Sequence, residues 1–204
     1  MTRITGRFRQ AIIRFVGPLL IPVFLTTGCS SIVYQPSPVV PTGSPLPYSA
    51  KLKLTQMEAY TVKPGATMIA DPQIENHVTG VSHSLESAKK QWEQSVAEYA
   101  AARKTFTYLA MDSQTDLDLI MRLNIYIDPG VLFTFNHVYL VHIDATLVDP
   151  HTGRLHRYRG LGKSTGDVVR GGKDDDQDPI NNAVQAALND LFGKIEHDTR
   201  LRHL

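Results

Sequence analysis

Val138-Tyr-Leu-Val-His-Ile-Asp-Ala-Thr-Leu-Val148, Asp149-Pro-His-Thr-Gly153 and Arg154-Leu-His-Arg-Tyr-Arg-Gly-Leu-Gly162 follow one another without interruption, and their reading decides the fold. Val141, Ile143, Ala145 and Leu147 fall on alternate positions, which puts them on one face of a strand. Aspartate, proline and glycine between two such runs are turn chemistry, so the stretch predicts an antiparallel hairpin.

Upstream, Asp118-Leu-Ile-Met-Arg-Leu-Asn-Ile-Tyr-Ile127 carries the same alternation through Met121, Leu123, Ile125 and Ile127, and Asp128-Pro-Gly130 ends it. Thr105 to Met111 reads as a short strand, and Lys51 to Ala59 as the first one. The stretch from Lys63 to about residue 82 reads as an irregular loop. Leu85, Ala88, Trp92, Val96, Tyr99 and Ala100 recur at three and four, which predicts one helix over 84–103 started by Ser84. Asp178-Pro179 opens a second helix with an apolar stripe of Ile180, Val184, Ala187, Leu188, Leu191 and Ile195. The expected fold class is therefore α+β: a mostly antiparallel sheet with two amphipathic helices packed on one face.

At 204 residues, with 42% apolar and 20% charged side chains, the chain has room for one domain with its own core. The formal net charge of +1 hides an asymmetry. Arg3, Arg7, Arg9 and Arg14 lie in the first 14 residues with no acidic partner, so the remainder is mildly acidic. That balance argues against nucleic acid as a partner, which calls for a broad basic face. The remaining basic clusters, Arg154 to Arg159 and Arg200 to His203, read as a solvated strand edge and a terminus.

Residues 15–25 are apolar but too short to span a bilayer, and behind a basic start they read as a signal peptide. Leu25-Thr-Thr-Gly-Cys-Ser-Ser31 then resembles the lipobox of bacterial lipoproteins. Small residues let the backbone lie extended in a peptidase cleft, and the thiol receives the lipid. Thr26 stands where that family has leucine, and Leu25 comes one residue early. The resemblance implies cleavage before Cys29, lipidation of Cys29 and anchoring in a membrane through that lipid. Serine at 30 resembles lipoproteins passed to the outer membrane, which implies its periplasmic face. Cys29 is the sole cysteine, so no disulfide forms within the chain.

The expected organisation is a signal peptide over 1–28, a proline-rich tether over 29–49 and a single α+β domain over 50–204. Five prolines between Pro36 and Pro47 favour extended backbone at about 3 Å per residue, a spacer several nanometres long. Over about residues 105–195 the order of elements, with Val148-Asp-Pro-His-Thr-Gly153 at its turn, is similar to envelope lipoproteins whose domain is related to the amino-terminal domain of the Tol propeller protein. Those proteins are mostly not enzymes, and the resemblance implies an envelope protein partner without naming one.

No catalytic or cofactor motif is complete. Gly162-Lys-Ser164 lacks the earlier glycine of a P-loop, since position 157 is arginine. Asp174, Asp176 and Asp178 begin like a calcium loop, but Pro179 takes the glycine place and Gln185 the final glutamate place. His142 and Asp144 share a strand face and are the best remaining pair for a base and its orienting carboxylate, or for part of a metal site with His137, His151 and His156. Three functions therefore compete. One is a non-enzymatic binding protein that docks through its sheet edge or the glycine-rich stretch 160–172. Another is a metal-dependent or hydrolytic enzyme using His142 and Asp144. The last is a subunit of a secretion or pore assembly that inserts Leu132-Phe-Thr-Phe135 into lipid.

Overall fold

The computed structural model describes residues 32–41, 45–63, 71–111, 114–129, 136–167 and 177–203. Six strands and three α-helices follow in the order β1 (Leu46–Val62), β2 (Ile74–His77), α1 (Thr79–Ser87), α2 (Lys89–Arg103), β3 (Phe106–Ala110), β4 (Leu117–Asp128), β5 (Asn136–Val148), β6 (Leu155–Asp167) and α3 (Gln177–His197). A 3-10 helix, Thr199–His203, ends the described chain.

The hairpin forms as its pattern predicts, with β5 and β6 antiparallel from Val148↔Leu155 to Asn136↔Asp167. The Asp149 carboxylate accepts the backbone N–H groups of His151 and Thr152 and the Thr152 hydroxyl, which closes the turn. Gly153 takes the left-handed φ of 71° that the turn demands. β4 pairs antiparallel with β5 over the whole range from Asp118↔Val148 to Asp128↔Val138.

The sheet is α+β but mixed rather than mostly antiparallel. β1 runs parallel to β4 along Ala50 to Thr61 and parallel to β3 along Leu46 to Lys51, and only β2 joins it antiparallel. Alternation marks which residues of β1 are buried but carries no information about strand direction, which the helical crossover between β1 and β3 sets. β1 also starts at Leu46, before the boundary expected at residue 50, because Leu46 and Ala50 continue the buried face across Pro47. Proline is tolerated at this early strand position.

Among the described residues there are three α-helices where two were expected. The helix read over 84–103 is broken at Ala88 (φ −92°, ψ 6°), and its first part begins at Thr79. Ser84 is therefore inside α1 and caps nothing. β2 lies within the stretch read as loop. Leu85 of α1, Trp92, Val96 and Tyr99 of α2, and Ile180, Val184, Leu188 and Phe192 of α3 share one apolar core with Leu119, Met121, Leu123, Val141 and Ile143 of the sheet.

α3 lies very close to β6. A Cβ built on Gly162 would stand 1.9 Å from the carbonyl oxygen of Ala183, and one on Gly160 would stand 2.2 Å from that of Ala187. α2 and α3 meet through Tyr99 donating to Asn189 at 2.6 Å and through a two-pronged Arg103–Glu196 pair at 2.7 and 2.8 Å. Thr105 adds a 2.6 Å bond to the buried Glu196 carboxylate.

Asp198, just before the 3-10 helix, ties the end of the described chain to the hairpin. Asp198 accepts from Arg200 and from the Tyr158 hydroxyl, and the Arg200 guanidinium, more than the tyrosine, holds its carboxyl well below the usual carboxylate range. A depressed acid stabilises the fold above its unfolded pKa of about 3.9, and that stability is lost as pH falls. Asp198→Asn is accordingly expected to flatten the loss of stability below about pH 4, read by urea unfolding across a pH series. Gly162→Ala should destabilise by about 3 kcal/mol or more in the same assay at neutral pH, because backbone rather than a flexible side chain must yield.

Candidate functional site

Cys29, with the whole leader, lies outside the described residues, as do Asp174, Asp176 and Leu132 to Phe135. Of the remaining predicted site residues, His142 and Asp144 fall on the sheet face opposite the main core. Residues opposite one another across β4, β5 and β6 are Arg122, Asp144 and Arg159. Arg159 donates to Asp144 at 2.6 Å, and Arg122 stands 4.0 Å from the other carboxylate oxygen. The bond to Asp144 pushes the Arg159 guanidinium above its ordinary range.

Asp144 thus turns to arginines, not to His142. The His142 ring is buried, 4.8 Å from the Tyr126 ring in an edge-on contact. A base–orienter pair needs the carboxylate on the imidazole, and this arrangement gives the carboxylate to guanidinium groups instead. The other histidines are dispersed. His137 lies beside Tyr139, His151 sits in the hairpin turn, and His156 is 3.9 Å from Asp198. Among the described residues no three histidine, cysteine or carboxylate side chains gather as a metal site.

One row further along, Ile120, Thr146 and Arg157 face one another. With Thr55, Arg122, Asp144 and Arg159 they line an open groove of about 570 Å³. Three guanidinium groups face one carboxylate there, a surplus of positive charge that suits carboxylate or phosphate groups bound in two-pronged fashion. From sequence alone the cluster Arg154 to Arg159 reads as a solvated edge. Strand alternation does place Arg157 and Arg159 on one face, but their meeting with Arg122 depends on a register that no single segment encodes.

Of the glycine-rich stretch, residues 168–172 lie outside the described residues, and its earlier part, like the edge of β6, is less available than expected. Gly160 and Gly162 lie inside β6 under α3. On the free edge of β6, Asp190 accepts the Leu161 N–H at 2.9 Å and Lys194 donates to the Arg159 carbonyl at 2.8 Å. On β1, in the gap between β2 and β3, Glu93 accepts the Leu54 N–H, Lys89 donates to the Thr55 carbonyl and Ser82 accepts the Ala59 N–H.

A different feature was hidden among the prolines. Residues 32–41 lie against the helices. The Trp92 indole donates to the Ile32 carbonyl at 2.7 Å, and the Tyr34 hydroxyl donates to Gln185 at 2.5 Å. Asn181 and Gln185 also accept the backbone N–H groups of Gln35 and Ser37. Tyr34 is fully buried, stacked 5.9 Å from Trp92, and burial pushes its phenol well up. The segment is a strap across the start of α2 and the early turns of α3.

No protein-family model matches the chain, and no curated protein matches it. Among solved structures it is similar to a Xanthomonas campestris protein of the DUF330 family, at 13% identity over 80% of this chain and 91% of that one, with a TM-score of 0.44. A candidate lipoprotein from Caulobacter crescentus is similar at 16% identity over 55% and 81%, with a TM-score of 0.39. A hypothetical protein from Chlamydia trachomatis is similar at 7% identity over 74% and 96%, with a TM-score of 0.40. No role passes from these proteins to this chain.

Removing only the buried hydroxyl, Tyr34→Phe should cost about 1 kcal/mol, the worth of one hydrogen bond. Tyr34→Ala should free the strap, seen as rapid proteolytic cutting within 32–41 while the sheet and helices stay intact.

Proposed function

We propose that this chain is a lipoprotein of the bacterial envelope, held by lipid on Cys29 at the periplasmic face of the outer membrane, and that it binds a partner protein in an envelope complex rather than catalysing a reaction. The observation that carries the reading is the basic, then apolar leader that runs directly into Leu25-Thr-Thr-Gly-Cys-Ser-Ser31. Cleavage before Cys29 leaves residues 29–204 as the mature protein.

The binding role draws support from the outer sheet face. Arg122, Arg157 and Arg159 offer exposed cations for an acidic partner surface, and such charges speed encounter and set register. The enzyme reading is weaker because Asp144, its proposed orienting carboxylate, is bonded to Arg159.

Intact-protein mass spectrometry of envelope fractions tests the anchor. The expected mass is that of residues 29–204 plus two or three acyl chains, and Cys29→Ala should abolish it. An unlipidated native chain would overturn the reading. For the face, an Arg122→Glu, Arg157→Glu double variant should lose co-purification with the native partner from outer membranes, with its own fold unchanged by circular dichroism.

A further inference from the structure

We infer that the domain is held directly on the phospholipid surface, with the beginnings of α2 and α3 turned toward the head groups, and that the strap sets this posture. The inference rests on the lipidation proposed above and concerns what that lipid is attached to. Ile32, three residues after Cys29, is pinned through its carbonyl to Trp92 and through its N–H to Ser84 at 3.4 Å. Three residues of chain span at most about 11 Å. A proline-rich spacer running to residue 49 would instead reach about 60 Å.

The strap's partners locate the anchored end. Ser84 and Trp92 lie near the α1–α2 junction, while Asn181 and Gln185 lie in the early turns of α3. The pairs Tyr99–Asn189 and Arg103–Glu196 follow in step further along, so α2 and α3 run side by side in the same direction, away from the strap. Lysines gather beside the start of α2, whereas the first turn of α3 carries Asp178. Lys51, Lys53 and Lys90 line one groove with Glu93 as its sole acid, and this suits anionic head groups.

Full-length lipidated protein, reconstituted in vesicles of phosphatidylethanolamine and phosphatidylglycerol that contain a nitroxide-headgroup lipid, gives the test. A fluorophore is placed on Gln91→Cys or on Ala102→Cys, both exposed and on nearly the same side of α2. The quenched fraction at Gln91 should be at least about twice that at Ala102, since the two lie about 16 Å apart along the helix axis. Adding Tyr34→Ala should erase the difference. Equal quenching at both sites, or stronger quenching at Ala102, in protein that floats with the vesicles would overturn the posture while leaving the anchor intact. A contrast that survives Tyr34→Ala would overturn the strap as its cause. Protein that fails to float removes the anchor and, with it, this inference.

Discussion

The approach of α3 to β6 is the contact on which the rest of the molecule depends. Two glycines on the inward face of one strand let a helix backbone come where any side chain would hold it off. At that distance Asp190 and Lys194 reach the backbone of β6, Asn189 and Glu196 reach α2, and Asn181 and Gln185 reach the strap. A helix held further out would lose all three sets of bonds together. Glu196 shows the stakes, for its buried carboxylate finds its hydrogen-bond partners in Arg103 and Thr105.

Two open stretches of the sheet are treated in one manner, while β2 and β3 each pair on one side only, with β1. Where β1 lacks a neighbouring strand between β2 and β3, and along part of β6, helix side chains take the place of strand backbone. Unpaired strand edges invite pairing with other chains, so occupying them limits the routes by which this protein associates. The outer face offers side chains rather than backbone groups.

The hairpin over 138–162 and the strand before it were legible because alternation and turn chemistry are local properties. α3 was legible for the same reason, through Asp178-Pro179 and a clean stripe. The parallel pairing of β1 was not, since a period of two is identical for either direction. The first half of α1 was not legible because Val81 and Leu85 are its only sizeable apolar residues inside a polar segment with Gly80. The strap was missed because prolines dominate its composition, and one tyrosine in their midst gives no periodic signal. His142 and Asp144 were correctly placed on neighbouring outward positions, yet the sequence could not say that two arginines from other strands would claim the carboxylate.

The strap also has a mechanical meaning. A pull on residue 32 enters the folded body through Trp92 and Tyr34, so the attachment and the core are links in series. Such a series yields at its weakest member. The strap holds by a handful of hydrogen bonds and one aromatic stack, whereas the β4–β5 ladder runs unbroken from Asp118 to Asp128. Under load the strap therefore releases first and lengthens the connection, sparing the sheet from the force.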